Sequence, residues 1–102
     1  MSGGPIRVVV VDDSRLMQGI ITAALEAEGD IKVAAKAGNV AEGRRMIKET
    51  DPDAVTLDVE MPGMNGLEFL DAMKERGLRS TVITMSAFGR IDLAAHERFH
   101  EN

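Results

Sequence analysis

The sequence has no cysteine, tryptophan or tyrosine, and only three phenylalanines among its 102 residues. The lack of cysteine excludes disulfides, thiolate zinc sites and cysteine nucleophiles, and it fits a cytoplasmic location. The longest fully apolar run covers residues 8–11, whereas a membrane helix needs roughly 20 apolar residues. No long apolar segment follows the first five residues, which argues against a signal peptide. We therefore expect no membrane segment in this chain.

Basic residues are also in short supply, with 12 lysines and arginines against 17 acidic residues and a formal net charge of −5. Nonspecific nucleic-acid binding needs clustered positive charge, so we expect no nucleic-acid partner. A chain of this length forms one domain, and its 44% hydrophobic fraction is enough for one core. We assign residues 1–102 to a single domain, with a flexible N-terminus over 1–5 and a polar end over 97–102.

Short β-branched segments alternate with segments of helical periodicity. The predicted strands cover residues 6–11, 31–35, 53–58 and 81–85, and a predicted helix follows each of them. Ser14 is the predicted N-cap of the first helix, while Asn39 and Glu42 give the second helix capping-box spacing. In the first helix, apolar residues recur at helical spacing at Leu16, Ile20, Ala23, Ala24 and Ala27.

The third and fourth predicted helices differ in how apolar they are. Leu67, Leu70 and Met73 are predicted to face the core from the third helix. The fourth helix is predicted to start at Gly89 and has only a few apolar residues, Ile91, Ala94, Ala95 and Phe99. The alternation predicts an α/β fold, a flavodoxin-like parallel sheet of strand order 2-1-3-4 with helices on both faces, truncated to four βα units.

Three carboxylates fall at the carboxyl ends of adjacent predicted strands, where this topology places a ligand crevice. Asp12 and Asp13 end the first strand, Asp58 ends the third, and Ser86 ends the fourth. Taken singly, these residues are also explained by a turn or a helix cap. Three converging carboxylates are less easily structural, because an unpaired buried charge is costly. Such like charges favour a bound cation, and Mg²⁺ with oxygen ligands is the natural one.

An aspartate beside Mg²⁺ can act as a nucleophile toward phosphorus and form an acyl phosphate. The metal then offsets the charge of the transferring phosphoryl group. A hydroxyl at Ser86 can donate to a phosphoryl oxygen, although a structural strand-end hydroxyl is the competing interpretation. The residues thus favour phosphoryl transfer at this edge of the sheet.

Four motifs together resemble the receiver domain of two-component response regulators. They are Val10-Val-Asp-Asp-Ser14, Leu57-Asp58, Met61-Pro-Gly-Met-Asn-Gly66 and Ser86-Ala87. Residues 51–62 are most similar to the receiver of the chemotaxis methylesterases, and residues 85–94 to the receivers of transcriptional regulators. The resemblance covers residues 6 to about 95 and includes all of the carboxylates above.

The resemblance implies that Asp58 accepts a phosphoryl group from the phosphohistidine of a histidine kinase. It implies that Asp13, Asp58 and the backbone carbonyl of Glu60 bind Mg²⁺, with Asp12 acting through water. It also implies that Ser86 follows the phosphoryl group and shifts the surface of the last helix and strand. A receiver of this kind is a phosphoprotein that signals through contacts with an output protein, and it is not an enzyme.

The sequence departs from the family pattern after the fourth strand. The family has five βα units, whereas only 16 residues follow Ser86 here and the last lysine is Lys74. The lysine that follows the family's fifth strand, and would pair with the phosphoryl group, has no counterpart in this sequence. Strand four is then expected to be an exposed edge, which favours a homo-oligomer or a strand-exchanged dimer.

Two alternatives to a working switch remain open from the sequence. The first is a degenerate receiver that serves as a dimerisation or interaction module without phosphorylation, which the missing fifth unit favours. The second is a small Mg²⁺-dependent phosphatase of the haloacid-dehalogenase type, in which Glu60 loosely fits the second acid that such enzymes place two residues after the nucleophile. Such enzymes also need a lysine and further acids on later strands, which this length does not supply.

Overall fold

The computed structural model of the chain describes residues 4–61, 66–75, 80–85 and 91–92. Its strands are β1 (Ile6–Val11), β2 (Ile31–Ala37), β3 (Ala54–Asp58), β4 (Thr81–Met85) and β5 (Ile91–Asp92). Its helices are α1 (Arg15–Glu26), α2 (Val40–Thr50) and α3 (Gly66–Glu75). The four strands and the first three helices predicted from the sequence are all present, with ends that differ by two residues at most for the strands.

The strands form one sheet in the order β2-β1-β3-β4-β5. The first four are parallel, so the predicted flavodoxin-like order is confirmed. Residues 8–11 of β1 are buried without a break, because a central parallel strand is covered on both faces and its side chains all need apolar neighbours. None of the described helices combines the length and the apolar character that a membrane crossing requires.

Side chains of β1 alternate between two cores, one on each face of the sheet. Val9 and Val11 pack on the side of α2 and α3, together with Ile47, Val55, Leu57, Phe69, Leu70 and Met73. Val8 and Val10 pack on the other side against Ile21 of α1. Helices therefore cover both faces, as the strand-helix alternation predicts.

Both predicted N-caps are present. The Ser14 hydroxyl accepts from Met17 N at 3.1 Å, and the Asn39 side-chain oxygen accepts from Glu42 N at 2.9 Å. The Glu42 carboxylate in turn accepts from Gly38 N at 3.0 Å, one residue before the position that a capping box would use. These bonds satisfy backbone N–H groups that have no partner within the helix.

The apolar residues at helical spacing in α1 do not form its buried face. Ile21 packs on the sheet, whereas Leu16 is 73% exposed and Ile20 is 51% exposed. The helix has apolar residues on more than one side, so periodicity cannot decide which side meets the sheet. The crossover from β1 to β2 decides it instead.

The predicted core face of α3 is correct for two of its three residues. Leu70 and Met73 are buried, but Leu67 is 49% exposed, and its assignment to the core is wrong. Phe69 takes the central place, with 1% of its surface exposed, under the guanidinium of Arg44 on α2 at 5.8 Å from the ring centre. Leu67 lies two positions before Phe69, on a different side of the helix from the buried residues.

The helix predicted from Gly89 is wrong where the structure describes it. Ile91 and Asp92 form β5, which pairs antiparallel with Met85 and Thr84 of β4. An edge strand has unpaired backbone groups, and a β-branched residue such as Ile91 is suited to pair with them. The prediction that β4 is a fully exposed edge is therefore wrong at its carboxyl end. The oligomer expected through this strand stays a prediction.

The amino edge of the sheet, where the parallel strands begin, is closed by hydrogen bonds within the chain. Asp53 Oδ2 accepts from Arg7 N at 2.8 Å, and Asp53 N donates to Arg7 O at the same distance. The Arg7 guanidinium donates to the carbonyls of Thr50 at 2.6 Å and Asp51 at 3.3 Å, at the end of α2. The carboxylate at this edge thus has its partners inside the chain.

Candidate functional site

The carboxyl edge of the sheet, where the parallel strands end, brings three carboxylates together. Asp12 directly follows β1 and Asp58 is the last residue of β3, and these two strands are neighbours paired in register through Val11 and Leu57. Carboxylate oxygens of Asp12, Asp13 and Asp58 all lie within 4.8 Å of one another. We call this group the acidic cluster, and it confirms the convergence predicted from the topology rule.

The three members of the acidic cluster differ in exposure. Asp12 is buried, with 6% of its surface exposed, whereas Asp58 is half-buried and Asp13 is exposed. The cluster therefore runs from the end of β1 out to the solvent. A ligand can reach it from outside, while Asp12 holds its inner side.

Two of the carboxylates are oriented by the same local device. Asp12 Oδ1 accepts from Ser14 N at 2.9 Å, and Asp58 Oδ1 accepts from Glu60 N at 2.9 Å. Each is an Asx turn, in which an aspartate binds the backbone two residues further on. In both residues Oδ2 is free of this bond, and Oδ1 keeps a second lone pair, so that both oxygens can meet a ligand.

The electrostatics of the cluster are those of like charges held together. The pKa of Asp12 is raised above its ordinary value, chiefly because burial disfavours the charged form. The N–H of Ser14 opposes this shift by its hydrogen bond, and the negative charges of Asp58 and Asp13 add to it. A cation placed among the three would offset each of the unfavourable contributions.

The donor set of the cluster fits a hard divalent cation. Mg²⁺ prefers oxygen ligands, is usually held by one or two carboxylates, and keeps several of its waters. The cluster offers three carboxylates that lie partly in solvent, which leaves room for waters. Of the other predicted site residues, Glu60 lies beside Asp58 with an exposed side chain, while Ser86 falls outside the described residues.

One residue at this edge has no signal in the sequence. Gln18, the fourth residue of α1, is half-buried, and its Nε2 donates to Asp12 O at 2.7 Å and Ala37 O at 3.2 Å. A glutamine at a helical position reads as an ordinary exposed side chain. Its contact with Ala37 joins residues 19 apart in sequence, and only the packing of α1 on the sheet creates it.

The start of α1 presents apolar side chains to solvent close to the acidic cluster. Leu16, Met17 and Ile20 are all exposed, and α1 begins two residues after Asp13. We call these three side chains the α1 apolar surface. Scattered exposed apolar residues are ordinary, but these three lie within five residues at the start of one helix, close in sequence to Asp12 and Asp13.

Comparisons with known proteins match this fold and site. The family described as response regulator receiver domain matches residues 8–98. The protein-glutamate methylesterase/protein-glutamine glutaminase of Agrobacterium fabrum is 57% identical over 65 residues, which are 64% of this chain and 18% of that protein. This chain thus spans less than a fifth of the length of that relative.

Two solved structures extend the likeness to about four-fifths of the chain. The response regulator domain of CheB from Thermotoga maritima is 35% identical with a TM-score of 0.73, covering 81% of this chain and 61% of that one. The response regulator protein TrrA from the same organism, solved in complex with Mg²⁺-BeF, is 30% identical with a TM-score of 0.70, covering 79% of this chain and 69% of that one. The chain belongs to the response regulator receiver domain family.

Proposed function

We propose that this chain is a phosphoacceptor receiver of two-component signal transduction, taking a phosphoryl group on Asp58 in the presence of Mg²⁺. The acidic cluster is the observation that carries the proposal. Its three carboxylates come from two adjacent strand ends, and burial together with its acidic neighbours raises the pKa of Asp12. Asp12 and Asp58 each accept one backbone N–H, as Asp53 does, but the charges that act on Asp12 are all acidic and leave a cation to offset them.

Each residue of the site has its own proposed role. Asp13, Asp58 and the backbone carbonyl of Glu60 hold Mg²⁺, and Asp12 contributes through water, as the family pattern implies. When bound, Mg²⁺ offsets the negative charge of the carboxylates and of the transferred phosphoryl group. The Asx turn to Glu60 orients the Asp58 carboxylate, and we assign Oδ2 as the nucleophile and Oδ1, through its second lone pair, as the oxygen that would bind Mg²⁺.

Phosphoryl transfer then proceeds by in-line displacement at phosphorus. Oδ2 of Asp58 forms the new P–O bond while the P–N bond of the donor phosphohistidine breaks, and the electron pair goes to the imidazole nitrogen. In-line geometry and charge compensation supply most of the catalysis in such transfers. Ser86 is proposed to donate its hydroxyl to a phosphoryl oxygen of the product and to carry the change to the neighbouring surface.

A histidine kinase is the proposed phosphodonor, and the α1 apolar surface is its proposed contact. A donor histidine has to reach Asp58, so its domain must rest on the surface around the carboxyl edge. Leu16, Met17 and Ile20 lie there exposed, and burying them on association supplies a hydrophobic gain that the surrounding charged residues do not.

The output is proposed to be a contact with another protein domain. The relative from Agrobacterium fabrum is named as a methylesterase and glutaminase, but this chain spans 18% of its length. We therefore assign the chain the part of a regulatory switch and no turnover of its own.

Labelling by a small phosphodonor tests the proposal. With acetyl phosphate and Mg²⁺, intact-mass spectrometry should find one phosphoryl group on the wild type and none on Asp58→Asn. Asp53→Asn is the matched control, because it changes an aspartate at the opposite edge of the sheet, and it should label like the wild type. Equal labelling of Asp58→Asn, or none of the wild type, would overturn the proposal.

The absence of labelling would favour the dimerisation module instead. The molar mass in solution, measured with and without Mg²⁺ and beryllofluoride, separates the two. A switch should change its mass or its hydrodynamic radius on addition of the phosphoryl mimic. A constant oligomer that ignores the mimic would identify a degenerate receiver.

A further inference from the structure

The side chain of Gln18 bridges the ends of two strands where the acidic cluster begins. Its Nε2 donates to the backbone carbonyl of Asp12 at 2.7 Å and to that of Ala37 at 3.2 Å. A primary amide has two N–H donors, so each carbonyl can take one. Ala37 O also accepts from Asp12 N at 2.9 Å. One side chain thus joins α1, β1 and β2 at a single point.

The Asp12 carbonyl belongs to the peptide unit that links two members of the acidic cluster. A peptide unit is planar, so a hydrogen bond to its oxygen also sets the direction in which Asp13 leaves the strand. Asp12 and Asp58 have Asx turns that orient their carboxylates, whereas no such turn is described for Asp13. The orientation of Asp13 therefore depends on the backbone that carries it.

Gln18 is itself held by the helix. Its backbone N–H donates to Ser14 O at 2.9 Å, within the first turn of α1, and the Ser14 hydroxyl caps that turn. The same Ser14 provides the N–H that binds Asp12 Oδ1. Because Gln18 lies on a helix, its hydrogen bond ties the Asp12–Asp13 peptide unit to a rigid element. A side chain on a loop would restrain this peptide unit less.

We propose that Gln18 is a positioning residue of the cation site, which holds the Asp12–Asp13 peptide unit so that the Asp13 carboxylate stays within reach of Asp58. The inference rests on the proposed function, since it concerns the affinity of the same site for Mg²⁺. Groups that orient the ligands of a metal typically change its affinity by about 10- to 100-fold when they are removed.

Gln18→Met tests this inference, because methionine keeps the length and unbranched shape of the side chain and removes both donors. Isothermal titration calorimetry of the full chain gives the Mg²⁺ dissociation constant, and urea unfolding in EDTA gives the stability without metal. We expect the Mg²⁺ dissociation constant to rise about 10-fold in Gln18→Met. If that variant does not fold, Gln18→Asn, whose amide is too short to bridge both carbonyls, takes its place with the same expectation.

Ser80→Ala is the matched control. It removes a hydrogen bond of the same kind, from the buried Ser80 hydroxyl to Pro52 O at 2.7 Å, at the amino edge of the sheet. It should lower the stability and leave the Mg²⁺ dissociation constant within twofold of the wild type. A purely structural Gln18 would behave in the same way.

The outcomes separate this inference from the proposed function. A wild type that binds Mg²⁺, together with a Gln18 variant of equal affinity, overturns the positioning role and leaves phosphorylation of Asp58 standing. A wild type that binds no Mg²⁺ overturns both. A weaker Mg²⁺ affinity in the Gln18 variant, with the Ser80 control unchanged, establishes the positioning role even if Asp58 accepts no phosphoryl group.

Discussion

The two edges of the sheet carry the same chemical group in opposite circumstances. At the amino edge, the Asp53 carboxylate accepts from Arg7 N, and the Arg7 guanidinium closes on the end of α2. At the carboxyl edge, the Asp12 carboxylate also accepts one backbone N–H, but the charges that act on it are those of Asp13 and Asp58. Each carboxylate thus has one backbone N–H as a partner, but Asp53 is exposed, whereas Asp12 is buried beside two like charges.

The difference shows where folding and function compete in this molecule. Charged groups with hydrogen bonds inside the chain stabilise a fold, while buried like charges destabilise it until an external ion arrives. Natural chains retain such an arrangement where a ligand repays the loss. The comparison therefore predicts opposite effects for equivalent substitutions at the two edges.

Mg²⁺ should produce the largest effect, and at one edge only. A ligand that binds only the folded chain stabilises it by about 2.7 kcal/mol when present at 100 times its dissociation constant. Urea unfolding of the wild type with and without Mg²⁺ measures this increment. Asp13→Asn should lose most of it and Asp53→Asn should keep it. If both substitutions reduced the Mg²⁺-dependent gain in unfolding free energy equally, the two edges would not differ in the way described.

Removing the Asp53 carboxylate at the amino edge should have the second-largest effect on stability. Asp53→Ala deletes the acceptor of the Arg7 N–H, and a hydrogen bond to a charged group contributes roughly 1.5 kcal/mol at the lower end of its range. The exposed position of Asp53 favours that lower end. Urea unfolding in EDTA should show this loss, and a neutral or stabilising result would contradict the description of this edge as closed.

At the carboxyl edge, removing the charge of Asp12 should increase the stability of the chain, whereas the loss of Asp53 decreases it. Asp12→Asn keeps the shape of the side chain and an oxygen for the Ser14 N–H, and it removes a buried charge. In EDTA at neutral pH we expect it to raise the free energy of unfolding, because the buried charge that it removes is unfavourable in the folded chain. Asp53→Asn is the control and should not stabilise.

The pH dependence of that gain follows from the sign of the pKa shift. Because the pKa of Asp12 is raised in the folded chain above its ordinary value of 3.8, the folded state holds its proton more tightly than the unfolded state does. The wild type therefore loses stability as the pH rises from the ordinary pKa of Asp12 through the raised pKa that Asp12 has in the folded chain. The gain in stability of Asp12→Asn over the wild type should vanish when the pH is below the ordinary pKa. A gain that persists at such a pH would have a cause other than the charge of Asp12.

A pair of glycine substitutions should give the smallest effect. A Cβ at Gly43 of α2 would lie 3.0 Å from Cγ2 of the buried Val11, just before Asp12, whereas one at Gly19 of α1 meets nothing within 4 Å. Alanine favours a helix over glycine by up to about 1 kcal/mol, so Gly19→Ala should stabilise. Crowding should outweigh that gain in Gly43→Ala and leave a net loss below about 1 kcal/mol. Thermal unfolding of the two variants decides whether α2 lies as close to β1 as described.

Much of the fold could be predicted because its signals are local. The β-branched run of β1 and the caps at Ser14 and Asn39 each need only a few neighbouring residues to be recognised. The convergence of Asp12 with Asp58 is long-range, but a topology rule for parallel sheets supplies it. The rule needs only the order of strands and helices, which the sequence pattern reveals.

The rest depends on packing that no local pattern contains. Leu67 and Phe69 are both apolar but point to different sides of α3, and only the packing of the helix on the sheet decides that Phe69 is the one buried. Ile91 pairs with Met85 of β4 in the sheet, although its spacing to later apolar residues suits a helix. The bridge from Gln18 to Ala37 exists only once α1 rests on the sheet.

The pairing of β1 with β3 has a consequence for when the site comes into being. Val11 and Leu57 are partners across the sheet although 46 positions separate them in sequence, so Asp12 and Asp58 meet only after β3 has docked beside β1. In an unfolded or partly folded chain the same aspartates are present, but they do not form the acidic cluster. The proposed phosphorylation of Asp58 would therefore be confined to folded molecules, because only the paired strands bring the acidic cluster together.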